Sequence, residues 1–151
     1  MSKPLPEPEK PKVSLKLMLS DKIATIEDGI HEKVTLEDEE NVMEKVHKYM
    51  EENYVTKREV KLKEISILLL SYWAPPSLPN GIQCPRWFIE CQSHTPYVLP
   101  LVEAVTENCD YLEVQLEMGG LDDYLEVVKS KHIKSYKLKS FVGTEPMEIK
   151  C

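Results

Sequence analysis

Alternation of apolar and polar residues in several separate segments is the feature that most constrains the fold of this chain. Residues 13–19 and 111–118 carry an apolar side chain at every second position, the pattern of a strand with one buried face. Residues 65–73 are apolar at both alternating sets, which predicts a central strand that is covered on both faces. A further alternating segment near 134–141 predicts a last strand. We therefore expect a sheet at the centre of the fold.

Two segments with helical spacing predict helices between these strands. Apolar residues recur at that spacing within 36–54, and Thr35 followed by the acidic run 37–40 is typical of a capped, solvated helix start. A metal site built from the acidic run is the alternative interpretation. The second helix is expected within 97–108, where apolar residues again lie on one helical face.

The pentapeptide DYLEV occurs twice, at 110–114 and at 123–127. The first copy lies in a predicted strand, and Gly119 and Gly120 would permit a tight reversal after it. The second copy is therefore expected to form a strand over 123–129 that pairs back onto the first copy across residues 119–122. The apolar spacing of the second copy also fits a short helix.

Cys84, Cys91 and His94 are the residues that most invite a chemical role. Six and two residues separate them and a fourth nearby ligand is missing, whereas structural zinc sites present two close pairs of ligands. A Cys91 nucleophile activated by His94 would also need an orienting acid and an oxyanion site. The chain contains no CxxC, GxGxxG, HExxH or GxSxG motif. We expect no catalytic, cofactor-binding or metal-binding residue, and a protein that is not an enzyme.

The net charge of −7, from 26 acidic and 19 basic residues, argues against a protein that depends on general contacts with phosphates. Between residues 127 and 144, however, there is no acidic residue. The lysines of this part are a candidate docking strip for an acidic partner or an RNA backbone, with a lysine-rich solvent face as the alternative. They are Lys129, Lys131, Lys134, Lys137 and Lys139.

Residues 1–12 contain four of the 11 prolines, which indicates an extended tail. We expect a strand–helix extension over 13–60 to follow it. This tail has no apolar region of the kind found in secretory signals. The longest apolar run, residues 67–70, is much shorter than the ~20 residues of a membrane helix. We therefore expect an intracellular protein with reduced thiols and no direct membrane span.

The order of segments over 61–149 resembles a small thioredoxin-like family shared by an accessory subunit of respiratory complex I and several mitochondrial ribosomal proteins. A buried strand is followed by a turn-rich loop, and then by a segment in which Arg86, Phe88 and Ile89 match the family's Arg-x-Phe-Ile/Val helix start. We expect this helix to pack on the 65–73 strand, with these residues as candidate core residues and Phe88 buried. An alternating strand and the lysine-rich last strand come next. The resemblance implies a closing helix over 145–151.

The fold implied by this resemblance is an α+β domain (an α/β sandwich) of thioredoxin-like type over 61–151. Its four-stranded sheet would comprise the strands near 62–72, 111–118, 123–129 and 134–141. A thioredoxin-type catalyst needs paired thiols after the first strand, whereas residues 74–77 here are Ala-Pro-Pro-Ser. The resemblance therefore implies a domain without redox activity.

The expected function is that of a non-catalytic structural subunit of a large assembly in the mitochondrial matrix. The acidic net charge favours respiratory complex I over the mitochondrial ribosome, whose subunits coexist with RNA phosphates. The partners would be neighbouring protein subunits, with RNA only through the five lysines and with no small-molecule substrate or cofactor. A cytosolic adaptor that binds one protein partner, and a small enzyme that uses Cys91 and His94, are the alternatives.

Overall fold

The computed structural model describes residues 10–40, 42–57, 59–70, 78–91, 98–105, 109–116, 121–142 and 145–150. Eight strands lie within this part of the chain: β1 (Lys12–Leu19), β2 (Ile23–Glu27), β3 (Val34–Glu37), β4 (Lys61–Leu69), β5 (Arg86–Cys91), β6 (Tyr111–Leu116), β7 (Ser135–Val142) and β8 (Glu145–Lys150). The described helices are α1 (Met43–Met50), which continues as a π-helical segment over Glu51–Thr56, α2 (Val98–Val105) and α3 (Asp122–Ser130).

All eight strands belong to one mixed sheet, in the order β3-β2-β1-β4-β5-β6-β7-β8. The five inner strands, β1 and β4 to β7, are parallel to one another, whereas β2 and β3 at one edge and β8 at the other are antiparallel to their neighbours. The strands β4 to β7 therefore lie side by side in the order in which they occur along the chain. A mixed sheet with helices is an α+β architecture.

The helices cover only one face of this sheet. Alternate strand residues such as Ile67, Ile89 and Leu138 are at most 2% exposed and form one core cluster with apolar residues of α1, α2 and α3. The intervening residues, among them Ser66 and Phe88, are half-exposed or exposed. Because a single alternating set is buried together with the three described helices, these helices pack on the same side of the sheet. No described helix covers the opposite side, which we call the open face.

The inner strands also share a repeated sequence pattern. In β4 to β7 and the residues just before each strand, apolar residues follow the spacing apolar-x-x-apolar-x-apolar, which starts at Leu62, Cys84, Cys109 and Ile133. These starting positions are 22, 25 and 24 residues apart. Each unit thus adds one strand to the sheet and then a connection, which contains a helix after β5 and after β6.

Several predicted strands are confirmed. The segments 13–19, 65–73, 111–118 and 134–141 overlap β1, β4, β6 and β7, and β4 lies in the middle of the sheet as expected. Residues 71–73 and 117–118 of these predictions lie outside the described residues. The predicted helix within 97–108 corresponds to α2. The expectation that β4 is covered on both faces is wrong, because its second alternating set faces the open side. Residues 13–60 supply β1 to β3 and α1 to the same sheet and core as the rest of the chain.

The predicted helix start at Arg86 is wrong, because this segment is the strand β5. Trp87 and Ile89 are buried at alternate positions, which a helix would not allow, and β5 lies between β4 and β6 with ladders on both sides. A short apolar run of this kind is compatible with either structure until its neighbours are known.

The predicted strand over 123–129 is also wrong, because these residues belong to α3. Tyr124 and Val128, four residues apart, are buried on one side of the helix, and Asp122 and Asp123 occupy its first turn, where the helix dipole favours negative charge. The partner of β6 is β7, in parallel, so the lysine-rich segment is not part of a hairpin with β6 or with 123–129. Gly119 and Gly120 lie outside the described residues.

Two further boundaries are corrected. The first helix begins at Met43 rather than near 36, because Val34–Glu37 pairs with β2 as an edge strand, so Thr35 does not cap the helix. The implied closing helix is instead the strand β8, which pairs antiparallel with β7. The sheet consequently has eight described strands, where a four-stranded sheet with one added strand from the extension was predicted. The predicted proline-rich tail falls almost entirely on residues 1–9, which lie outside the described residues.

Candidate functional site

An apolar stripe runs diagonally across the open face of the sheet. We use this name for five residues, one from each of β2, β1, β4, β5 and β6: Ile23, Met18, Leu68, Phe88 and Tyr111. The strand register produces the diagonal, since Met18 pairs with Leu68, Phe88 pairs with the residue two before Leu68, and Tyr111 pairs with the residue two before Phe88. With strands about 4.8 Å apart, the stripe extends about 19 Å in the direction across the strands.

Exposure is greatest at the end of the stripe near β1 and β2. Met18 is 42% and Ile23 is 48% exposed, whereas Leu68, Phe88 and Tyr111 are half-buried. A shallow groove of about 280 Å³ runs along the middle of the stripe and is lined by Met18, Leu68 and Phe88 together with polar residues of the neighbouring positions. Apolar side chains that are clustered in this way on an exposed sheet face mark a surface that can bury against another molecule.

At the other end of the stripe, an arginine packs against the two aromatic rings. The guanidinium carbon of Arg86 lies 5.1 Å from the ring centre of Tyr111 and 5.7 Å from that of Phe88. The two rings are themselves 5.7 Å apart with an angle of 49° between their planes, and the Tyr111 hydroxyl donates a hydrogen bond of 2.9 Å to Glu113 Oε1. These contacts hold the rings in place, so this cluster presents an ordered aromatic surface.

A buried carboxylate organises the turn between β2 and β3 at one edge of the sheet. Asp28, which is 7% exposed, accepts hydrogen bonds from the backbone N–H groups of Ile30 and His31. Its other oxygen lies 2.7 Å from His31 Nδ1 and accepts a bond of 3.2 Å from the Tyr54 hydroxyl. Gly29, between Asp28 and Ile30, adopts a φ of 80°, which a residue with a side chain rarely reaches.

These contacts shift the pKa values of both members of the Asp28–His31 pair. Burial acts to raise the pKa of Asp28, but the hydrogen bonds from His31 and Ile30 outweigh it and lower the pKa to about 2. The hydrogen bond to Asp28 and its charge raise the pKa of His31 above its ordinary value. Asp28 is therefore ionised at neutral pH and serves to hold the turn.

The five candidate docking lysines are not on one surface. Lys129, Lys131 and Lys134 lie at the end of α3 and in the connection to β7, and all three are exposed. Lys137 and Lys139 are half-buried on β7, on the open face, where the register places them beside Glu113 and Gln115. The structure thus divides the predicted strip into a group at a helix end and a pair next to the apolar stripe.

The strand β5 places the three residues of the predicted family motif on opposite faces of the sheet. Arg86 and Phe88 lie on the open face, whereas Ile89 is 2% exposed in the core. The sequence predicted all three as the start of a buried helix. Two of them instead belong to the candidate site, and only Ile89 is a core residue.

Two of the cysteines, Cys84 and Cys109, pack with the hydrophobic core. Cys84 and Cys109 occupy equivalent positions of the repeated pattern, and each thiol donates to the backbone carbonyl two residues later, of Arg86 at 3.2 Å and of Tyr111 at 2.9 Å. Burial raises the pKa of both thiols to about 11, so they are protonated and weakly nucleophilic at neutral pH.

The structure does not bring the other two residues of the predicted cysteine–histidine group together in a described site. Cys91 is buried at the end of β5, and His94 lies outside the described residues. Within the part of the chain that the structure describes, no three histidine, cysteine or acidic side chains are arranged to hold a metal ion.

Sequence reasoning missed the apolar stripe, although a signal for it was present. The apolar-x-x-apolar-x-apolar pattern identifies the residues of each unit that face the core. The positions between them then belong to the open face, and apolar residues at those positions, such as Leu68 and Phe88, stand out. Their alignment into one diagonal depends on the register between strands, which the sequence alone does not provide.

Comparisons of this chain with protein-family models, with curated proteins and with solved structures found no match. The three described α-helices have eight or nine residues. None of the described helices has the length and apolar character needed to cross a membrane.

Proposed function

We propose that this chain is a non-catalytic protein-binding subunit that joins an assembly through the open face of its sheet. The apolar stripe is the observation that carries this proposal. Its extent of about 19 Å across five strands and its shallow groove suit an extended contact with a protein better than an enclosed site for a small molecule. Burial of the stripe against a partner would remove its exposed apolar side chains from water.

The arrangement of the strands supports the same proposal. Units of 22 to 25 residues that each add one strand to a continuous sheet resemble leucine-rich repeats, which have units of roughly 20–29 residues. In repeat proteins of this kind the stacked units create an extended binding surface. The open face of this chain has the corresponding position, opposite the helices.

The cluster of Arg86, Phe88 and Tyr111 would act as the anchor of the interface. Arginine and aromatic residues are enriched among those that contribute most to binding, because they offer a large contact area together with directed polar groups. Here the rings already pack against each other and against the guanidinium group. Little side-chain freedom would therefore be lost when a partner binds.

Lys137 and Lys139 would contribute to the same interface. They lie on the open face near the aromatic cluster, so the docking function predicted for the lysines is retained for this pair. Lys129, Lys131 and Lys134 remain a predicted docking group at the end of α3, for an acidic protein or an RNA backbone.

A photo-crosslinking residue placed at Met18 tests the proposed interface in cells. We expect it to form a discrete adduct with one protein, because Met18 is the most exposed inner-strand member of the stripe. The matched control is the same residue at Lys48, which is exposed on α1 on the covered side of the sheet. The adduct should disappear when Arg86→Ala and Tyr111→Ala are combined with it. Equal adducts at both positions, or none at Met18, would contradict the proposal.

The more specific proposal places this subunit in respiratory complex I on the matrix side of mitochondria. It rests on the resemblance to the thioredoxin-like family, and the mitochondrial ribosome and a cytosolic adaptor are the alternatives. A tagged full-length chain should co-migrate with complex I in native electrophoresis of mitochondrial extracts. Co-sedimentation with ribosomal subunits would favour the second assembly, and elution of cytosolic material near 17.5 kDa would contradict a place in any large assembly.

A further inference from the structure

A second pocket, of about 500 Å³, lies between the first half of β1 and the turn that joins β2 to β3. Basic residues line it from three different parts of the chain: Lys12 and Lys16 from β1, His31 from the turn, and Lys33 from the residues just before β3. A volume of this size is typical of sites for small ligands or for a single modified side chain.

The lysines of this pocket have no acidic partner among the described residues. Lys12, Lys16 and Lys33 are exposed, and none of them forms an ion pair within 4.0 Å. Glu27 lies beside Lys16 in the register of β1 and β2 but does not approach it to that distance. The pocket therefore gathers three positive side chains around one exposed carboxylate.

The second carboxylate of the pocket, that of Asp28, is already engaged by hydrogen bonds within the protein. Asp28 is buried in the turn, where it accepts bonds from two backbone N–H groups, from the Tyr54 hydroxyl and from His31. The His31 side chain is 59% exposed, and its pKa is raised by Asp28, with Glu59 adding a smaller contribution in the same direction. When it is protonated, its second ring nitrogen becomes a further donor for an anion.

We propose that this pocket is a binding site for a phosphate monoester. A phosphate group carries nearly two negative charges and three acceptor oxygens, so it can contact several separate lysine ammonium groups at once. A ligand with a single carboxylate has less charge and fewer acceptor oxygens to offer them. A phosphorylated side chain of a protein and a small phosphorylated metabolite share this chemistry. This pocket is separate from the apolar stripe. Lys16 is the one residue that lines both this pocket and the groove along the stripe.

Titration of the full-length protein with inorganic phosphate, followed by amide NMR at constant ionic strength, tests the site. We expect saturable shifts confined to residues 12–16 and 28–33. Lys16→Gln and Lys33→Gln should each weaken binding about fivefold, since each removes one charge near the ligand. Both side chains are exposed, so these variants should keep the amide spectrum of the folded protein.

Lys48→Gln is the matched control, because it removes one positive charge from an exposed position on α1. Its affinity for phosphate should equal that of the unaltered protein. Equal weakening by all three variants, shifts spread over the whole surface, or no saturation at tens of millimolar phosphate would each overturn the proposal. Tighter binding of O-phosphoserine than of a nucleoside monophosphate would identify a phosphorylated protein as the source of the ligand, and the reverse order would identify a metabolite.

Discussion

Replacement of Ile89 by alanine should lower the free energy of unfolding by about 2–5 kcal/mol, whereas the same replacement at the adjacent Phe88 should lower it by only about 1 kcal/mol. Ile89 is 2% exposed and lies in register between Ile67 of β4 and Val114 of β6, so its loss would leave a cavity in the core. Phe88 is half-buried on the open face, where its ring packs against Arg86 and Tyr111.

Urea denaturation of the two variants measures both losses, and Val114→Ala serves as a second core control on the neighbouring strand. The comparison separates the observed strand from the predicted helix, because adjacent residues face opposite sides only in a strand. A loss of about 3–5 kcal/mol for Phe88→Ala would mean that this ring faces the core, as the helix prediction required.

Replacement of Asp28 by asparagine should cost about 2 kcal/mol at neutral pH and should remove one component of the acid sensitivity of the protein. The pKa of Asp28 is lowered from 3.8 to about 2 in the folded state, and at about 1.4 kcal/mol for each pH unit this difference corresponds to about 2 kcal/mol. This stability is present above pH 3.8 and is lost as the pH falls through about 2. The variant has no carboxylate at this position, so it should lack that loss.

His31 contributes with the opposite sign. Its pKa is raised in the folded state, so its contribution is complete below 6.5 and is lost as the pH rises through the higher folded value. The contributions of Asp28 and His31 arise largely from one shared contact and are not additive. In Asp28→Asn the pKa of His31 should return towards its ordinary value, which an NMR titration of the imidazole measures.

Tyr54→Phe is the control for the acid-sensitivity experiment. It removes the bond of 3.2 Å to Asp28 but leaves the donors of Ile30 and His31, so most of the change in stability between pH 4 and pH 2 should persist. If the unaltered protein and Asp28→Asn lost stability in parallel over this range, the carboxylate would not have the lowered pKa that its contacts imply.

Prediction from the sequence was most successful where one face of a strand is buried and the alternation is long. The residues of β1 and β6 show this pattern over six or more positions, and both strands lie where it predicted them. β5 was misassigned because its six residues follow a proline and combine aromatic and aliphatic side chains, which also suits a helix start. The candidate site was missed as a consequence, since Phe88 was assigned to the core.

The two copies of DYLEV show the division between local and tertiary information most directly. The first copy enters β6, whereas the second lies within α3. Five identical residues therefore adopt two structures, and the difference comes from their surroundings. The first copy is paired on both sides, by β5 and β7. The second packs Tyr124, together with the following Val128, into the core between the helices and the sheet.

The sequence by itself determined the long alternating strands, the α2 segment and the absence of paired thiols at 74–77, because each depends on the spacing or identity of neighbouring residues. Only the tertiary structure decided that β5 is a strand, that the second DYLEV copy is helical and that one face of the sheet is open. Strand pairing and helix packing join residues that are distant along the chain, and a short segment of mixed character adopts whichever structure those contacts stabilise. The apolar stripe and the basic pocket belong to this second group, because each brings together residues from separate elements.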